Sequence, residues 1–374
     1  MKTKAYKIYS RLILILALAY ACLTACSSDT DEYFGAGGAI DSPVSVTING
    51  DYAYVMNANF DLSGDKTGAI AVIDIPRSLI NRNDCIINRL ETPSYIGQMA
   101  MNANGTLGFL ANRRGNSVML IDLEDPADPL IIDLDRDQEG DQGIKVGIEP
   151  FGVTLSPDEK TLYVTAVGSG DLSIVDLVER RLIKNEQIGW GINDIGIQPG
   201  GSYAYITNKG VGSVALIDVV ENRFVTTFAL GSYMQGIGSD TRGVDFTPDG
   251  QWAFIAARNP ESLLVIDTSK LPDYPGEAVV DLLPTDSKPT AVRVTPDGRE
   301  VWVSNYYSNN VIAYDTRTHA ALEVITVGDG PYEIAMAPSG TGVDGHYWVF
   351  VANFRSHNIS LIDSASKEYI WVIP

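Results

Sequence analysis

The chain has 374 residues, with 27 Lys and Arg against 47 Asp and Glu, a formal net charge of −20. A hydrophobic content of 45% with 20% charged residues excludes wholesale disorder. So acidic a chain is excluded from wrapping nucleic acid, which needs a basic footprint, and three His and three Cys leave little for a transition-metal cluster.

Residues 1–25 carry Lys2, Lys4, Lys7 and Arg11 and no acid. The apolar run at 12–21 (LILILALAYA) is too short to cross ~30 Å of hydrocarbon as a helix and suits the core of a signal segment. Leu23-Thr24-Ala25-Cys26 follows, small residues before a Cys, and resembles the bacterial lipobox. That resemblance implies an acylated Cys26, a lipid anchor (palmitate or a similar chain) and an outer-membrane location, since Ser27 stands where the inner-membrane retention signal has Asp. The acidic residues Asp29, Asp31 and Glu32 resemble an export tag for the cell surface. A plain solvated tether has the same composition, so surface-exposed and periplasm-facing placements both stay open. Residues 33–40 (YFGAGGAI) read as the end of a flexible leash. The organisation is then a signal peptide at 1–25, a tether at 26–40 and one domain at 41–374. Cys85, alone after processing and set in the apolar run Cys85-Ile86-Ile87, reads as a buried, inert thiol.

The remainder repeats one pattern. Apolar runs end in Asp74, Asp122, Asp176, Asp218, Asp267, Asp315 and Asp363, at intervals of 48, 54, 42, 49, 48 and 48. Upstream of each lies a second strand-like run: 52–57 (YAYVMN), 107–112 (LGFLAN), 162–166 (LYVTA), 203–208 (YAYITN), 252–257 (WAFIAA), 301–305 (VWVSN) and 348–353 (WVFVAN). Before these stand turn signals such as Thr247-Pro248-Asp249-Gly250 and Thr295-Pro296-Asp297-Gly298. The runs are short and rich in Val, Ile, Tyr and Trp, and no segment after residue 40 has a helical period. The predicted fold is all-β, a seven-bladed β-propeller with four antiparallel strands per blade. The first and last blades are each complete in this phase, so no strand exchange closes the ring. The repeated Asp is predicted to accept backbone N–H groups in the turn after it.

Tyr205-Ile206-Thr207-Asn208, Tyr163-Val164-Thr165-Ala166 and Tyr54-Val55-Met56-Asn57 resemble the YVTN family of seven-bladed propellers, which includes periplasmic and surface-layer proteins. The resemblance spans the whole mature chain. It implies the fold and leaves function open, because these motifs are structural.

One end of such a ring carries the loops leading into first strands and those after second strands. These loops hold Arg113, Arg114, Lys209, Arg242, Arg258 and Arg355 together with Phe151, Trp190, Tyr233, Tyr306, Tyr332 and Phe354. Guanidinium forks and aromatic faces suit a small anionic or ring-bearing ligand or a glycan. Aromatic plugging of the channel and Arg–carboxylate pairing are the opposing reading. Residues 133–143 (DLDRDQEGDQG) form an acidic insertion in which Asp135, Asp137, Glu139 and Asp141 partly match a calcium loop, although Val146 stands where a calcium loop ends in Glu. A solvated acidic loop is the alternative, and no other cofactor is expected.

No paired His, no C-x-x-C-H and no G-x-S-x-G is present. The expectation is therefore a monomeric, non-enzymatic lipoprotein that binds a small molecule, as propeller lipoproteins that capture a corrinoid for an outer-membrane transporter do. A platform for a protein or polysaccharide partner is the first alternative. A lactonase-like hydrolase is the second, and it would need acids clustered at the channel mouth.

Overall fold

The computed structural model describes residues 40–58, 67–93, 95–134, 143–210, 212–229, 240–340 and 345–374. Seven antiparallel sheets follow one another along the chain, each built in hairpin order from an inner to an outer strand. The inner strands are Pro43–Asn49, Ile96–Met101, Pro150–Leu155, Ile192–Ile197, Thr241–Phe246, Pro289–Val294 and Pro331–Pro338. The fold is the predicted seven-bladed propeller.

Burial explains why the sequence reads as it does. Second and third strands are covered on both faces by neighbouring blades, so Tyr203–Asn208 and Ser213–Asp218 are near-continuous apolar runs. Outer strands have one wet face, and Arg181–Gln187 (RLIKNEQ) alternates exposed and half-buried residues. Seven apolar clusters result, one between each pair of neighbouring blades. The seam between the last blade and the first is one of them, with Val55, Ile73, Phe350 and Leu361 fully buried. Ile40, read from sequence as the end of the leash, is buried in that seam. His357 Nδ1 stands 2.9 Å from Asp41 Oδ1 beside it. The ring thus closes by side-chain packing, with blades one and seven each complete.

The repeated Asp does what its position predicts. Asp218 Oδ1 accepts from the N–H groups of Val220 and Glu221, both at 2.9 Å, and Asp176, Asp315 and Asp363 make the same pair of bonds. After Asp74 the turn tightens into one helical turn, Ile75–Ser78, capped by Asp74 accepting from Arg77 N–H at 2.8 Å. That turn departs from the helix-free reading.

Blade two departs as well. Its outer position is shared by Leu130–Ile132 and Gly143–Lys145, which pair with opposite ends of Ser117–Asp122. The acidic insertion interrupts this strand, and Asp135, Asp137, Glu139 and Asp141 lie outside the described residues, as do Cys26 and Tyr233. Among the described residues no helix is long and apolar enough to cross a membrane. Cys85 is buried, and burial pushes its thiol up to about 12.

Candidate functional site

Every inner strand carries a register irregularity in its first half, for example between Ile192 and Ile195 and between Thr241 and Val244. A bulge bends the strand and re-aims the side chains beside it. Here the affected positions lie between the first and fourth residues of each strand. The channel has two chemically different levels.

The loop end is aromatic and closed. Phe151, second in the inner strand of blade three, meets Tyr332, second in that of blade seven, edge to face at 6.4 Å. Those blades are not neighbours, so the rings meet across the axis. Tyr332 also packs on Tyr306 at 6.3 Å and Phe354 at 5.9 Å. Arg113 lies over the rings of Tyr95 at 4.6 Å and Phe151 at 5.5 Å, donates to Tyr95 Oη at 2.8 Å and pairs with Glu149 at 3.3 Å.

The sequence-derived cations do not form one open patch. Arg242 grips Asp240 with two nitrogens, at 2.5 and 2.9 Å. Arg258 donates to Pro289 O at 2.9 Å and Thr290 Oγ1 at 2.6 Å and stands 3.7 Å from Asp240, so it ties blade five to blade six. Burial and the nearby Arg242 lower Arg258 to about 10. Arg355 pairs with Asp329 at 3.3 Å. Arg114 and Trp190 stand exposed, and Phe151 is buried as part of the cap. Lys209 alone of the central group makes no ion pair among the described residues; burial and the charges of Arg242 and Arg113 push its pKa down.

Beneath the cap lies a chamber of about 490 Å³, within the range of small-molecule sites. Its walls are inner-strand residues from the third position onward. Gln98, Asp194 and Glu333 come from third positions, Asp245 and Arg293 from fifth positions. The charged walls also stitch the blades together. Asp194 accepts from Val244 N–H at 3.3 Å, Asp245 from Val294 N–H at 2.8 Å, and Arg293 Nε donates to Ile334 O at 3.1 Å.

The three carboxyls differ in their cation. Glu333 is 3.0 Å from Arg293 Nη2, and Asp245 is 3.9 Å from Nη1. Asp194 has no salt bridge among the described residues; its carboxylate accepts from the N–H groups of Ile195 at 2.9 Å and Val244 at 3.3 Å, and the charge of Arg293 reaches it from further off. Burial, then the charge of Glu333, raises Asp194 to about 7. The area it keeps faces the chamber. Asp245 is raised by burial and eased back by Arg293, and Arg293, encircled by acids, is held firmly charged. A carboxyl near neutrality beside carboxylates fixed by a guanidinium can take a proton from water and return it to a leaving oxygen. Among the described residues no three His, Cys, Asp or Glu side chains converge as a metal-ligand set.

None of these five residues was singled out by sequence. The available signal was positional: a charge at the third or fifth place of an inner strand, where the other blades carry Ser45, Thr47, Gly152, Thr154 or Ala335.

Residues 195–368 match the family model described as Lactonase, 7-bladed beta-propeller. Over that stretch the chain is similar to propeller lactonases. No curated protein matches it. Among solved structures, Kuenenia stuttgartiensis hydrazine synthase superposes with a TM-score of 0.70 at 18% identity, covering 90% of this chain and 99% of that one. The periplasmic gluconolactonase of Pseudomonas aeruginosa gives 0.58 at 17% identity, covering 77% and 86%. A Bacteroides uniformis protein described as a candidate 6-phosphogluconolactonase gives 0.56 at 15%, with the same coverages. At these identities the superpositions establish the fold. The expectation that the chain performs no chemistry is contradicted by the match of residues 195–368 to the lactonase family model. The matched stretch contains Asp245, Arg293 and Glu333, and Asp194 immediately precedes it.

Proposed function

We propose that the chain is a hydrolase that opens lactone rings in the axial chamber. The observation that carries this reading is Asp194, a carboxyl raised to about 7 with no salt bridge among the described residues, lining a chamber whose other acids are paired to Arg293. A general base works best when its pKa lies near the working pH. Asp194 takes a proton from a water molecule as the water oxygen bonds to the lactone carbonyl carbon. The Gln98 amide and the Arg293 guanidinium are the donors in the chamber toward which the carbonyl oxygen, gaining charge, turns. The ring C–O bond then breaks, and the Asp194 carboxyl gives its proton to the departing alkoxide. The product is the open hydroxy acid.

The test offers the purified chain a panel of five- and six-membered lactones of sugar acids and follows acid release. Opening well above the uncatalysed rate is expected, with kcat/KM rising as Asp194 loses its proton and levelling above about pH 7. Asp194→Asn should lose it. Wild-type protein that opens no member of the panel, or a folded Asp194→Asn variant that keeps full activity, would overturn the reading.

The proposal extends to location. The basic leader and the small residues before Cys26 fit export and acylation onto the outer membrane. Radiolabelled palmitate should enter the wild type in a bacterial host, and Cys26→Ala should abolish the label; undiminished labelling of that variant would remove the anchor.

A further inference from the structure

The loop end carries a feature that the hydrolase reading leaves unused. Arg113, Lys209, Arg242 and Arg258, from blades two, four and five, gather against two acids, Asp240 and Glu149. Four cations against two carboxylates is an excess of positive charge inside a chain whose net charge is −20. Such a group repels itself, and the three arginines are already spent on Asp240, Glu149, Tyr95, Pro289 and Thr290. Lys209 forms no salt bridge among the described residues, and Asp240 and Glu149 attract its ammonium only from further off.

An aromatic ring stands on the adjoining loop, held there by the bond from Lys209 N–H to Gly191 O at 2.8 Å. Trp190 is 68% exposed, which is unusual for so large an aromatic side chain. Its placement is specified. Gly210, the neighbour of Lys209, allows the indole to lie on the backbone: a Cβ there would come within 2.8 Å of the Trp190 ring. Gly191, with φ of +90°, makes the turn that brings the two loops together, a conformation glycine alone adopts readily. An exposed indole against the loop that carries an ammonium without a salt bridge is a pairing of flat apolar surface with a charge-assisted donor.

We infer that the loop end is a second binding site, distinct from the chamber, for a small ring-bearing oxyanion whose charged group docks on Lys209 and whose ring lies on Trp190. Neither Lys209 nor Trp190 lines the chamber. The inference does not rest on the hydrolase reading. Carboxylate and phosphate share the chemistry that Lys209 recognises, and the experiment separates them.

Phthalate, inorganic phosphate and neutral phthalamide are titrated into the full chain, with tryptophan fluorescence and calorimetry as readouts. Phthalate is expected to bind, quench Trp190 and weaken as salt is raised. Lys209→Met should weaken phthalate roughly 10- to 100-fold, the size of a lost charge-assisted hydrogen bond, while Lys209→Arg stays close to wild type. Lys160→Met, on a turn at the opposite end, is the control for non-specific charge. Trp190→Phe should lose the quench. Phosphate binding as tightly as phthalate would overturn the role of the ring, and phthalamide binding as tightly would overturn the role of the charge. Binding unchanged in folded Lys209→Met, or no binding by either anion, would overturn the site. Asp194→Asn should bind phthalate like the wild type, so failure here and failure of the hydrolase reading are told apart.

Discussion

The two levels of the channel are built from the same seven strands, one residue apart, and they are opposites. Second positions supply Phe151 and Tyr332, whose rings meet edge to face across the axis and close the loop end. Third and fifth positions supply Gln98, Asp194, Glu333, Asp245 and Arg293, which leave a chamber and line it with charge. The difference teaches that the ring decides where side chains converge and leaves open what converges. Every inner strand shares a register shift near its start, and the residue type at each place then decides between a plug and a cavity. It also separates two kinds of polar group. Asp245 and Glu333 hold a guanidinium, whereas Asp194 faces the chamber without one.

The strongest way to break the comparison is Asp194→Asn. Lactone opening should fall by about 10²- to 10⁴-fold, the usual contribution of a positioned base, while the cap and blades stay intact. The same variant has a stability signature. Folded Asp194 keeps its proton to about pH 7 against an ordinary 3.8. Between those values the folded chain holds more protons than the unfolded one, so stability falls as pH rises through the window and levels off above it. The loss should be on the order of 2–3 kcal/mol, less than full burial implies because water reaches the chamber. Urea unfolding from pH 4 to pH 8 should show this slope in the wild type and a clearly smaller one, left by Asp245, in Asp194→Asn.

Arg293→Met strips the chamber of its guanidinium and leaves Asp194, Asp245 and Glu333 facing one another. Breaking a buried pair from one side costs about 3–5 kcal/mol. The deficit should be largest near pH 8 and shrink toward pH 5, since carboxyls without a cation accept protons more readily. A deficit independent of pH would mean that Arg293 matters only as packing.

Tyr332→Ala attacks the other level. Removing a half-buried ring from the cap should cost about 1–3 kcal/mol in urea unfolding, with no change in the pH slope. If that slope changed too, cap and chamber would be one coupled unit and the comparison would fail.

How much of this was legible depends on the range of each interaction. The Asp-ended runs, the turn signals and the repeat are local, and they carried the blade count and the role of Asp218 and its six counterparts. The aromatic and basic loop residues were legible as a group, but whether each was open or spent was not. Arg258 serves Thr290 and Pro289 of the next blade, and Arg242 serves Asp240. The chamber was invisible. Asp194 sits in an ordinary strand run (INDIGI), and its neighbours in space are Gln98, 96 residues before it, and Glu333, 139 residues after it. Short catalytic motifs do not span groups dispersed over five blades, and the non-enzymatic expectation failed for that reason.

By itself the sequence determined the blades, because period-two burial, turn chemistry and the capping Asp are written within about fifty residues of chain. Only the closed ring decided which side chains share the axis, which cations keep a free donor and which carboxyl lacks one. Those outcomes depend on through-space distance and on exclusion from water, and both exist only once seven sheets stand around one channel.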